Sequence, residues 1–259
     1  MIVAGCDVGS LTAEAVVFKD NIILGSEIIR VRPGPEHSAG EVLGKVLARL
    51  NLTRDDINLC VTTGYGRENI SFADDNISEI TAHAIGAHWL NNDIRTIVDV
   101  GGQDCKVIRV NKKGELENFL MNDNCAAGTG RSLEVMSESL GVDISELGPL
   151  SRQAREPVTI TNKCSIFADT EIFHFICQKR DTADIAAGIN DSMARRVKTM
   201  IARIGVRDLV GMTGGVSKNI GVVESLEKMI GTSFVKFEED PQVIGALGAA
   251  VYGYKKCKG

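Results

Sequence analysis

No run of apolar residues in this 259-residue chain approaches the roughly 20 that a bilayer span needs. Positive charge is not in excess either. Lys and Arg number 29 against 34 Asp and Glu, for a net charge of -5, so the basic face typical of nucleic-acid binders is not indicated. The start, MIVAGCDVGS, lacks the basic segment of a secretory signal and reads as a first strand, so a cytoplasmic protein is expected. The chain also lacks CxxC, GxGxxG and GxxxxGK[ST], which removes the ready signals for a redox or zinc knuckle, a dinucleotide fold and a P-loop. Proline is scarce (5) while glycine is abundant (27), which points to glycines at special backbone positions and not to disorder.

What is present is a soluble globular composition, 44% hydrophobic and 24% charged. The seven cysteines are odd in number and widely spaced, unlike a disulfide framework. Cys6 and Cys60 adjoin apolar strand patterns, Cys257 lies in a polar tail, and all three read as structural. Cys105 and Cys177 read the same way, and His83, His88 and His174 as packed or surface residues in helical patterns.

The chain contains an internal echo. GCDVGSLTAEAVVFKDNIILGSEII (residues 5–29) resembles TIVDVGGQDCKVIRVNKKGELENFLM (residues 96–121). Each has an apolar run into Asp-Val-Gly, small polar residues, a β-type run, a polar turn and a returning strand, which is the pattern of a hairpin. Two such units predict two domains of similar plan. Around them lie helical patterns at 38–52, 78–90, 131–142, 182–205 and 241–256, and a strand into a glycine loop at 208–219. Alternating strands and helices give an α/β protein.

Within the echo, DVGSLT places Asp7 beside Gly9, Ser10 and Thr12. Glycine lets the backbone approach an anion, and the hydroxyls and amides donate to it. A carboxylate next to phosphate makes sense when a hydrated divalent cation lies between them. DVGGQD repeats this logic with Asp99, Gly101 and Gly102, and Gln103 is suited to orient a water. A third element, MTGGVSKN, offers Gly214 and Gly215 for close packing of a flat ring. These elements together resemble the superfamily of actin, sugar kinases and heat-shock chaperone ATPases. The resemblance implies two ribonuclease-H-like domains with ATP and Mg2+ in a cleft between them. It implies nucleotide contacts along Asp7, Gly9, Ser10, Leu11, Thr12, Ala13 and Glu14, at Asp99, Gly101, Gly102, Gly214 and Gly215, and at Gln242. It also makes SEITAHAIGAH and PQVIGALGAA the small-residue helices of the hinge. The first domain is expected over 1–90, with the C-terminal helix (about 243–259) packing back on it, and the second over 91–242.

Two further cysteines stand before helical patterns: Cys125 in NDNCAAGTGRSLEV and Cys164 in TNKCSIFADTEIF. Thiolates and anionic clusters are favoured at helix N-termini. A 4Fe–4S cluster takes four cysteines, so two per chain would serve a symmetric dimer; a zinc ion or a buried thiol beside a glycine turn satisfies the spacing as well. The longer pattern, CAAGTGR-x-LE followed by C-x-x-FA-x-[ST]-E, is similar to the signature of the 2-hydroxyacyl-CoA dehydratase activators and the related ATPase subunits of benzoyl-CoA reductase. That resemblance implies one 4Fe–4S cluster held by Cys125 and Cys164 of two identical subunits. It implies an electron taken from ferredoxin or flavodoxin and passed, with ATP hydrolysis, to a partner iron–sulfur dehydratase or reductase. Glu14 and Leu11 stand where the family often has lysine and threonine, and Asn124 and Ser132 where basic and aromatic residues are common. Gln103 is the candidate to position the attacking water and Asp104 the alternative base. The rival readings are a small-molecule kinase and a structural ATPase of the same superfamily, neither of which explains the paired cysteines.

Overall fold

The structure, a computed structural model, describes residues 1–122 and 127–258. The chain packs as two compact units: residues 1–97 with 108–119 and 236 onward, and residues 98–107 with 120–235.

The first sheet is built by β1 (Ile2–Val8), β2 (Thr12–Lys19), β3 (Ile22–Arg30), β4 (Leu59–Thr63) and β5 (Asp75–Asn76), in the order β3-β2-β1-β4-β5. The hairpin β1–β2–β3 is antiparallel, whereas β4 and β5 add in parallel. Between β3 and β4 runs α1 (Pro35–Arg49), opened by a proline in its first turn. Its Ala39, Val42, Leu43, Val46 and Leu47 are buried at helical spacing against the apolar face of β1 and β2. Next comes α2 (Glu79–Leu90), whose Ser78 cap accepts from the Thr81 amide at 3.2 Å.

The second sheet comprises β6 (Ile94–Val100), β7 (Cys105–Val110), β8 (Leu116–Asn122), β9 (Leu209–Thr213) and β10 (Phe234–Val235), in the order β10-β9-β6-β7-β8. Its helices are α3 (Gly130–Leu140), α4 (Ile144–Ser151), α5 (Ser165–Cys177), α6 (Thr182–Ile204) and α7 (Ile220–Ile230). The core of this unit joins Val98, Val107, Leu133, Ile172, Ile189 and Leu226. α4 had no counterpart among the sequence patterns; Pro149 within it breaks the expected helix signal.

The chain ends in α8 (Ile244–Lys258). Small residues let α8 lie directly on β1 and α2. A Cβ on Gly5 would overlap the Ala246 carbonyl, one on Gly86 the Ile244 carbonyl, and one on Gly248 the Ala82 carbonyl. Phe18, Trp89 and Tyr254 fill the remainder with edge-to-face rings 5.3–5.4 Å apart. Among the described residues, no helix is long and apolar enough to cross a membrane.

Candidate functional site

The two echoed loops have the same local geometry. The turn after β1 is closed by the Gly9 amide donating to the Thr12 carbonyl at 3.0 Å, and the turn after β6 by Gly101 donating to Asp104 at 3.0 Å. In each, an aspartate stands one residue before the end of the strand and the chain reverses over glycine, so backbone amides gather at a sheet end.

In the first unit Asp7 is nearly buried, 7% exposed. Its carboxylate lies against the Cα of Gly64 (φ +85°) and of Gly245, where any side chain would collide with it. His83 Nε2 stands 3.8 Å from Asp7 Oδ2. The Gln242 amide donates to Thr12 Oγ1 at 2.9 Å and to Glu14 Oε1 at 3.0 Å. Glu14 is therefore a buried, hydrogen-bonded carboxylate on β2. Ser10 and Leu11 are half-buried on the turn, and the Ala13 side chain belongs to the core.

In the second unit Asp99 is 2% exposed. Thr213 Oγ1 donates to its Oδ1 at 2.9 Å, and Lys106 Nζ to its Oδ2 at 3.3 Å. The same ammonium lies 2.7 Å from Asp104 Oδ1. Gln103 is exposed at the tip of the turn. Gly214 is buried at φ +82°, pressed on the Val100 carbonyl and the Asp99 carboxylate, and Gly215 is exposed beside it. Each unit thus carries a buried carboxylate at a glycine turn, Asp7 in the first and Asp99 in the second, and oxygen donors of that kind fit the waters of a hydrated Mg2+, which prefers few direct protein ligands.

Sequence patterns passed over Lys106, Thr213, Gly64 and the nearness of His83 to Asp7. A lysine inside the β run CKVIRV was the available signal, since a charge in a strand buried on both faces needs a partner. The pairing of Asp7 with Gly64 and Gly245 had none, because the three meet only through the sheet and α8.

Cys125 lies outside the described residues. Cys164 is half-exposed at the N-cap of the 13-residue α5, and its carbonyl accepts from the Ala168 amide at 3.0 Å. Cys164 lines a shallow, open cleft with Gly128, Met136, Thr161, Met193 and Arg196. The positive end of α5 and the Arg196 side chain of the cleft fit an anionic cluster bound at Cys164. Gly128 (φ +88°) packs on the aliphatic stem of Arg196, and any Cβ would overlap it. The helix α3 is tied to the glycine turn after β6: the Gly130 amide donates to the Gly101 carbonyl and the Arg131 amide to that of Gly102, both at 2.8 Å.

Cys6, Cys60 and Cys105 are buried structural thiols, whereas Cys177, expected to be buried in an apolar run, is exposed at the end of α5, and Cys257 is exposed near the end of α8. Burial, reinforced by the Asp99 charge, pushes the Cys105 thiol far up. Cys6 and Cys60 are buried together; a hydrogen bond between the two thiols, and then burial, raises Cys6. Among the described residues no three His, Cys, Asp or Glu side chains cluster as a metal site.

With this geometry in view, residues 4–253 match the model of the BadF/BadG/BcrA/BcrD ATPase family. The chain belongs to that family. It is 42% identical to the 2-hydroxyisocaproyl-CoA dehydratase activator of Clostridioides difficile, over all of this chain and 97% of that protein. A solved structure of that activator with bound ADPNP superposes at a TM-score of 0.95, covering 100% of this chain and 96% of the other. Component A of the Acidaminococcus fermentans (R)-2-hydroxyglutaryl-CoA dehydratase superposes at 0.96 with 38% identity, covering 100% of both chains. The fold is thus that of the actin-like ATPases, with two ribonuclease-H-like domains.

Proposed function

We propose that this family member is an ATP-dependent activase, a one-electron donor to a partner iron–sulfur enzyme of the 2-hydroxyacyl-CoA dehydratase or benzoyl-CoA reductase type, with ferredoxin or flavodoxin as its own source. The named relatives support the activator role. The observation that carries the coupling is the pair of hydrogen bonds from Gly130 and Arg131 to Gly101 and Gly102. A 4Fe–4S cluster bound by Cys125 and Cys164 of two copies would supply the one-electron chemistry.

The chain's own residues do the rest. Gly9, Ser10 and Thr12 in one turn and Gly101 and Gly102 in the other present amides and hydroxyls to phosphates. Asp7 and Asp99 would hold waters of Mg2+, Gly214 and Gly215 would admit the adenine, and Gln242 fixes Thr12 and Glu14. Gln103, exposed at its turn, orients the attacking water. Asp104 is engaged with the Lys106 ammonium, which suits it to holding the turn. When the second turn tightens on a nucleotide, its carbonyls carry the first turn of α3 with it, and α3 leads back to the cysteine loop. ATP thereby gains a differential interaction with two positions of that loop, which coupling requires.

A second copy is supported by α5, which exposes Ile166 (74%), Phe167 (67%) and Phe173 (53%) beside Cys164. Protein purified without oxygen should be brown and carry about four irons per dimer. Cys164→Ala should lose that iron while ATP binding persists. Full iron in this variant would remove Cys164 as a ligand. A cluster spectrum and a partner affinity that are both indifferent to ADP versus an ATP analogue would sink the coupling.

A further inference from the structure

The second phosphate turn carries two carboxylates where a polyanion must land. Asp99 is the penultimate residue of β6, and Asp104 lies over the turn with Oδ1 at 2.8 Å from where a Cβ on Gly101 would sit. Coulomb repulsion at such range disfavours any phosphate approach. Lys106 lies two residues past Asp104 on β7, its side chain 4% exposed, with Nζ 3.3 Å from Asp99 and 2.7 Å from Asp104. An ammonium is seldom buried this deeply without a job, because desolvation is costly unless close carboxylates offset it.

We propose that Lys106 is a positioning residue for the nucleotide: its ammonium cancels one of the two carboxylate charges of the turn, so that a triphosphate can settle on the turn's amides. The inference rests on the reading of this turn as an ATP site. With Lys106 the three side chains carry one net negative charge, and without it two. Mg2+ compensates what remains, so the contribution of Lys106 is largest when the metal is absent.

The test is a charge ladder, read as the dissociation constant for ATP in EDTA at low salt and again with Mg2+, alongside thermal unfolding. Asp104→Asn leaves Lys106 paired with Asp99 and brings the trio to neutrality; it should bind metal-free ATP about tenfold tighter than wild type. The double variant Asp104→Asn/Lys106→Met has the wild-type charge and should bind within about threefold of it. Lys106→Met should bind about tenfold weaker, and Lys106→Arg close to wild type. Raising the salt, or adding Mg2+, should compress the steps. Should Lys106→Met fail to fold, Asp104→Asn and Lys106→Arg, which keep the buried cation, still carry the order. Equal affinities across folded variants would overturn the proposal, and so would affinities that follow unfolding temperature instead of charge. Wild-type protein that binds no ATP in either condition would instead sink the functional reading.

Discussion

Single residues here are constrained mostly by what touches them. Gly214 is the sharpest case, because its φ of +82° and its contact with the Val100 carbonyl each exclude a side chain. Gly214→Ala should therefore destabilise the protein by about 2 kcal/mol or more and weaken ATP binding, measured by urea unfolding and calorimetry. His88 is constrained electrostatically. Burial first, then the Arg95 and Lys255 cations, holds its pKa below the ordinary imidazole value, and its ring packs on Gly114. The unfolded chain then binds the proton more readily, so stability is intact above the unfolded pKa, about 6.5, and declines as pH falls through it toward the folded value. Wild type should lose unfolding temperature more steeply than His88→Gln between about pH 7.5 and 5.5. Parallel curves would show that His88 does not titrate in that way.

At the scale of elements, helix starts are the working parts. α5 begins at Cys164, and α3 begins on the carbonyls of the second phosphate turn. α5 buries only Ala168 and Ile172 fully, leaving an apolar face in water. Such a face is expected to be covered by the second copy. Phe167→Asp should yield a monomer by native mass measurement with an unchanged unfolding temperature, since Phe167 is 67% exposed and contributes little to the fold of one chain. A dimer that survives the aspartate would place the contact elsewhere. The pair α2 and α8 works differently: glycines and alanines replace large knobs, so backbone approaches backbone and a single added methyl group is not tolerated.

For the molecule as a whole, each unit has its own buried core, so unfolding need not be a single cooperative event. A nucleotide that binds only the folded state stabilises it by mass action, roughly 2.7 kcal/mol at a hundredfold excess over its dissociation constant. Saturating ATP with Mg2+ should raise the unfolding temperature by about 5 °C or more, and Cys164→Ala should retain that gain because it takes nothing from the phosphate turns. Absence of the gain in the cysteine variant would mean that the cysteine loop shapes the nucleotide site directly.

By itself the amino-acid sequence determined the α/β class, the two echoed hairpins, their glycine turns and the helix-start cysteine Cys164. These are local matters: hydrophobic period, turn chemistry and residues at short fixed spacings. Even Lys106 left a mark, as a charge in an apolar strand, though not its partners. Only the tertiary structure decided that Asp7 lies on Gly64 and Gly245, that Gln242 binds Thr12 and Glu14, that Lys106 bridges Asp99 and Asp104, and that α3 starts on the carbonyls of Gly101 and Gly102. Most of these contacts join residues far apart in the chain, and Lys106 meets its close neighbours only because of how the turn and strand are folded. Strand order and helix packing set them, and no local pattern encodes a distance across a sheet.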